Sequence, residues 1–432
     1  MIKTFNENNI DALFSLLAKR SQLDVPEVTK VVSEIIAEVR ANGDAALYEY
    51  TAKFDKVEID QFRVSQDAID AAAIDDRLLA IINKSIANIT DFHQKQKVPS
   101  WTEEKPGGIQ LGLLSRPIES VGLYVPAGSA PLISTVLMNA IPAKVAGVKR
   151  IVMATPPGPD GKIADALLVA ARLVGVDEIY QMGGAQAIAA MAFGTESVKK
   201  VDKLFGPGNI YVATAKRLVF GYCGIDSFAG PSEITIVADD TANARFIAAD
   251  MLSQAEHDAL ASSILITTSD EIAAEVIKEL KRQLATLKRK ETATKALANF
   301  GAIVNVDSIL QAIQIVNEIA PEHLELCVDK ADELVGHIKN AGAIFLGNYS
   351  PEPLGDYFAG PNHVLPTSGT ARFFSPLNVG DFMKKTSLIS YSQDALKAVW
   401  QDVYEFALAE DLDAHANAIK VRFDGSTMEG KP

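Results

Sequence analysis

Ile10, Leu13, Phe14 and Leu17 fall on one face of a helix that follows directly on Met1–Asn9, so the chain opens on an amphipathic helix. From residue 25 to residue 97 the pattern stays helical, with Val28, Val31, Val32, Ile35, Ile36 and Val39 in one stripe that stops at Asn42-Gly43. Near Ser120 the period changes. Short apolar runs now alternate with helical stretches, starting at Val121-Gly-Leu-Tyr-Val125 and the turn Pro126-Ala-Gly128. Further strands are predicted at Arg150–Ala154, Glu178–Gln181 and Val201–Phe205, with helices over 131–147, 164–174 and 185–194 between them. A second series follows at Ile234–Ala238, Ser263–Thr267, Ala302–Val306, His323–Val328 and Ala343–Leu346. This rhythm predicts two successive α/β modules with parallel sheets. Five prolines make 347–380 a long irregular segment, and beyond Asp381 the pattern predicts helix to the end, with Leu396, Val399, Trp400, Val403, Phe406 and Ala407 on one face.

Composition removes several classes of function. The net charge of −14 opposes a phosphate backbone, and the basic runs are short, such as Lys278 to Lys290, which reads as the solvated face and end of a helix, so no nucleic-acid partner is expected. No apolar run approaches the ~20 residues of a membrane span. Cys223 and Cys327 are too few to staple 432 residues, which points to a reducing compartment, the cytoplasm, and the N-terminus shows no leader pattern.

Candidate chemistry is scattered. Gly206-Pro-Gly-Asn-Ile-Tyr211 approaches the dinucleotide fingerprint but replaces its third glycine with Tyr211, so a tight turn into a helix explains it equally well. Gln254 and His257, three apart on a predicted helix, share a face and can reach one metal ion, whereas a structural histidine is the commoner use of such a position. Ser253 stands where a metalloprotease H-x-x-E-H motif would need histidine. Glu322-His323 opens a predicted strand and offers a carboxylate beside an imidazole, an acid–base pair or simply a helix-to-strand junction. His93 and His337 read as structural or surface residues.

Taken together these stretches resemble the histidinol dehydrogenase family from about residue 25 to the C-terminus. The stretches that carry the resemblance are Val121–Gly128, Gly183-Gly-Ala-Gln-Ala-Ile188, Phe205-Gly-Pro-Gly-Asn209, Ala229-Gly-Pro-Ser-Glu233, Ser253-Gln-Ala-Glu-His257, Ala320-Pro-Glu-His-Leu-Glu325, Gly360–Pro366 and Ala409-Glu-Asp-Leu-Asp-Ala-His415. The resemblance implies one Zn2+ per site held by Gln254, His257, Asp356 and His415. It implies histidinol contacts from Ser232, His323 and Glu410 beside those ligands, and NAD contacts from Tyr124, Gln186 and Asn209. Glu322 and His323 become the catalytic acid–base pair of a four-electron oxidation of L-histidinol to L-histidine.

The implied fold is α/β, two incomplete Rossmann-like modules with small helical pieces at both ends. Residues 1–24 form a helical arm, 25–120 with 233–380 the zinc and acid–base domain, 121–232 the NAD domain, and 381–432 a helical domain that completes the site of a partner in a homodimer. Two other functions compete with this one. A zinc hydrolase would use Glu322 to activate metal-bound water, and a regulatory protein retaining the fold would bind without turnover; formation of NADH separates both from a dehydrogenase.

Overall fold

Strands that read as unbroken apolar runs need cover on both faces, and the fold supplies it. A computed structural model describes residues 2–20, 25–127, 131–227 and 230–423, so Gly128 and Ala229 of the family-like stretches, and residues 21–24 of the expected arm, lie outside the described residues. Six parallel strands form one sheet, in the spatial order Lys3–Asn6, Gly301–Asn305, Ser262–Thr267, Glu233–Ala238, His323–Cys327 and Ala343–Leu346. Three of its four inner strands, Ser262–Thr267, Glu233–Ala238 and His323–Cys327, are buried at every position. One face packs Met251, Leu252, Val276 and Leu297 from flanking helices, and the other packs Leu13, Ile313 and Val316.

Five more parallel strands make the second sheet, in the order Glu178–Gln181, Arg150–Thr155, Ser120–Tyr124, Lys203–Phe205 and Gly224–Ile225. The chain leaves Ser120–Tyr124 toward one side of this sheet and returns to its other side at Lys203–Phe205. The crevice between the carboxyl ends of those two strands is therefore a topological switch point, where open α/β sheets bind ligands.

Three expectations about the division of the chain need correction. Residues 26–62 do not join the 233–380 core. The stripe Val32, Ile35, Ile36 and Val39 packs on the alanine-rich helix Gly184–Phe193 and fills the core of the five-stranded sheet, because small side chains there let the helices approach closely. Within the first residues, Lys3–Asn6 is a strand ahead of the helix, paired in register with Ala302–Asn305. The third correction concerns the end of the chain, which is not helical throughout.

Residues 98–117 and 383–423 form a separate compact unit. In it Ile109–Pro117 pairs antiparallel with both Trp101–Lys105 and Met383–Tyr391. Met383–Tyr391 is mostly exposed, so no alternation of apolar residues marks it as a strand. The hairpin at 101–117 did carry a signal, Pro106-Gly107-Gly108, whose glycines take φ of +89° and +80°. Helices Gln393–Ala409 and Asp413–Lys420 complete this unit, with Trp400 against Tyr404 and Phe423.

Candidate active site

Helix Ile309–Ile319 ends on Ala320, which takes the left-handed conformation at φ +52° and turns the chain through Pro321 into the strand His323–Cys327. Glu322 and His323 thus stand at the amino edge of the six-stranded sheet, opposite to the edge where α/β sheets ordinarily bind ligands. Gly342 makes room for this junction, since a Cβ there would stand 2.5 Å from the Glu322 carbonyl. Both side chains are buried. The Glu322 Oε2 accepts a hydrogen bond from the Glu233 N–H at 2.8 Å. His323 donates from Nδ1 to the Glu233 carbonyl at 2.8 Å, which fixes the proton on Nδ1 and leaves Nε2 a bare lone pair without a hydrogen-bond partner.

Nε2 faces carboxylates. Glu352 Oε1 lies 3.7 Å away, and ligand atoms of His323, Glu352 and Asp356 all fall within 4.8 Å of one another. Burial first, and then the charge of Asp356, push Glu352 up to about 8. Burial lifts Asp356 to about 6 and Glu322 well above the carboxylate range, the latter helped by the Glu233 charge. Burial also holds His323 and His363 down at about 4, so both imidazoles are neutral at pH 7. A cluster of buried carboxyls with neutral imidazoles is what a cation would stabilise.

Gln254 and His257 reach the same place from the carboxyl end of helix Ala244–Ala255, where the helix dipole is negative and also favours a cation. Gln254 is fully buried, yet neither atom of its amide finds a hydrogen-bond partner. Such an orphan is expensive unless something binds it. His257 is exposed, with Nδ1 3.4 Å from the Ser232 Oγ. Asp356 stands on a short helix, Glu352–Tyr357, inside the segment expected to be irregular, and its Oδ1 lies 3.8 Å from His363 Nδ1. The carbonyls of Tyr357 and Phe358 are held by Ser85 and Asn88 of helix Asp76–Gln94.

Sequence reasoning missed Glu352 and passed over His363. The spacing Glu352-x-x-x-Asp356 places two carboxylates on one helical face, a signal hidden because the prolines around it suggested a loop. His93 is structural, fully buried with Nδ1 on the Ile89 carbonyl and Nε2 3.3 Å from Asn362. Glu410 and His415 lie in the smaller unit, both exposed, at the end of helix Gln393–Ala409 and in helix Asp413–Lys420.

The other expected residues gather at the switch point of the five-stranded sheet. Tyr124 ends its strand, is pushed up to about 12 by burial, and accepts the Gly184 N–H on its hydroxyl at 3.0 Å. Gln186 follows in the same first turn, buried, its Oε1 without a hydrogen-bond partner. Asn209 caps helix Ile210–Val219 through the N–H groups of Tyr211 and Val212. Two helix amino termini therefore open on this edge, an arrangement that suits phosphate. The missing third glycine is no obstacle, because Tyr211 is exposed. Gly206 does need to be glycine. Its φ is +109° and a Cβ would stand 2.1 Å from the Tyr124 carbonyl. Gly206→Ala is expected to lower stability by about 1–3 kcal/mol, read as a lower urea midpoint at unchanged slope.

Two parallel sheets, with the buried Glu322–His323 pair at one edge and paired helix termini at another, define an α/β protein. The sequence profile of histidinol dehydrogenase matches residues 18–423. A histidinol dehydrogenase of Clostridium acetobutylicum is 53% identical over 98% of this chain and 99% of its own. Another, of Caldanaerobacter subterraneus subsp. tengcongensis, is 55% identical over 95% and 96%. The crystal structure of histidinol dehydrogenase from Elizabethkingia anophelis superposes with a TM-score of 0.92 at 40% identity, covering 98% of both chains. The chain belongs to the histidinol dehydrogenase family, and is an oxidoreductase. No described helix is long and apolar enough to cross a membrane.

Proposed function

We propose that this enzyme oxidises L-histidinol to L-histidine, the end of histidine biosynthesis, in two successive two-electron steps through histidinaldehyde. The observation that carries this reading is the bare Nε2 of His323, buried beside Glu322 and facing the Glu352–Asp356 carboxyls, in a chain of this family.

His323 takes the hydroxyl proton at Nε2 while its Nδ1–H stays on the Glu233 carbonyl, so the ring is already oriented when the alcohol arrives. Tyr124, Gln186 and Asn209 would hold NAD, which would supply the hydride acceptor for both steps. Glu322 then draws a proton from the water that adds to the aldehyde, and the hydrate loses the second hydride to give the carboxylate. Balanced, one alcohol and one water yield one carboxylate, two hydrides and three protons.

The donor set fits Zn2+: an orphaned amide, imidazole and a carboxylate whose charge is costly without a cation. Gln254, His257 and Asp356 would hold it, with His415 from a second copy of the chain. Once bound, the ion supplies a positive charge that anchors the amine and imidazole of histidinol. Ser232 and Glu410 complete the substrate contacts, Glu410 again from the second copy.

The direct test adds a limiting amount of L-histidinol to excess NAD. Two NADH per histidinol are expected. One NADH would make this a simple alcohol dehydrogenase, and none would sink the assignment.

Sharing of sites in a homodimer has its own test. When inactive His257→Ala and His415→Ala chains are mixed in equal amounts, about half the dimers are mixed, each with one intact site of two, so about a quarter of wild-type activity returns. Mixed dimers confirmed by mass that regain nothing would place all ligands within one chain.

A further inference from the structure

Glu322 is held from the far end of the sequence. Arg20 closes helix Ile10–Arg20 and is 7% exposed. Its Nε donates to the Leu260 carbonyl at 2.6 Å, and its Nη2 donates to the Pro231 carbonyl and, at 3.1 Å, to that of Ser232. Its Nη1 pairs with Glu233 Oε1. Glu233 passes the restraint on. Its Oε1 also accepts the Ser368 N–H at 2.7 Å, its Oε2 accepts the Glu322 N–H at 3.3 Å, and its own N–H donates to Glu322 Oε2.

One guanidinium thereby ties together the chain entering two strands, and the carboxylate it neutralises ties down the entry to a third. With Oε2 engaged, Oε1 is the oxygen of Glu322 left without a protein hydrogen bond among the described residues. The geometry points to Arg20 as a positioning residue that fixes, through Glu233, which oxygen of Glu322 is presented to the water that adds to the aldehyde. This rests on the role given to Glu322 under the proposed function. Lysine at this place keeps the charge, but its donors radiate from one atom and cannot span three carbonyls and a carboxylate.

The test uses full-length Arg20→Lys with wild-type circular dichroism and zinc content, and compares single-turnover oxidation of supplied histidinaldehyde with that of histidinol. The aldehyde step is expected to slow by about 10²-fold, the loss that follows a displacement of about 1 Å, and the alcohol step by much less. In Arg20→Ala, added methylguanidinium is expected to restore the aldehyde step saturably, which a purely structural role would not do. Equal slowing of both steps, or slowing of neither, overturns the assignment. So does failure of both variants to reach the native fold, since Arg20 would then serve folding alone. Wild-type enzyme is measured first in the same assay, and its producing no NADH from histidinol overturns the proposed function and this role together.

Discussion

His323→Asn is expected to slow the first oxidation of histidinol by about 10²–10⁴-fold, the range for loss of a positioned general base. Asparagine can still donate to the Glu233 carbonyl, so the strand entry is preserved while the lone pair that faces the carboxylates is lost. Glu322→Gln should behave differently. Burial and the neighbouring Glu233 raise its carboxyl well above the ordinary range, making it a stronger base when ionised, and that base is needed only after the aldehyde forms. The glutamine variant is therefore expected to slow oxidation of supplied histidinaldehyde more than that of histidinol. Single-turnover measurements with each substrate separate the two. Equal loss in both half-reactions for Glu322→Gln would refute this division of labour.

Removal of the metal is expected to abolish turnover and leave the chain folded, because the helix that carries Gln254 and leads to His257 packs into the apolar core through Met251, Leu252 and Ala255, and the short helix of Asp356 is held by Ser85 and Asn88. Zinc added back should restore activity; full activity in a demonstrably metal-free preparation would exclude the assignment. Stability should report the same site. Glu352 at about 8 and Asp356 at about 6 are raised above their unfolded values, so without a cation they favour the fold at low pH and lose that contribution as pH rises through those values. His323 and His363, depressed to about 4, act in the opposite sense, adding stability as pH rises from about 4 to 6.5. Above that range the imidazole contribution is complete and Glu352 still ionises. Metal-free protein should therefore lose thermal stability between pH 6.5 and about 8, and the stabilisation by zinc should grow over the same interval. Thermal unfolding at pH 6, 7 and 8, with chelator and with zinc, measures both. A zinc effect independent of pH would mean that the ion does not displace these protons.

How much of this was legible beforehand depended on how local each signal is. Both parallel sheets were visible as buried runs such as Ile234–Ala238 and Ser263–Thr267, since a strand covered on two faces must be apolar throughout. Glu322-His323, Gln254 and His257 stood out because each lies in a short stretch with its own pattern. Strands whose stability comes from pairing were not visible. Met383–Tyr391 is largely polar and takes its place by matching Ile109–Pro117, some 270 positions earlier in the chain. Lys3–Asn6 likewise exists through its register with Ala302–Asn305.

The sequence by itself determined the α/β class, the order of the buried strands and the helices between them, and the chemical types available for an acid–base pair and a cation. Only the tertiary structure decided that Glu352 and His363 join Asp356 beside that pair, and that Arg20 and Glu233 hold Glu322. Helical and strand periods are set by neighbours along the chain, so a window of residues reveals them. Which distant segments meet is set by how whole faces pack, and a lone arginine, a glutamate in a proline-rich segment or a polar strand is compatible with many partners until that packing selects one.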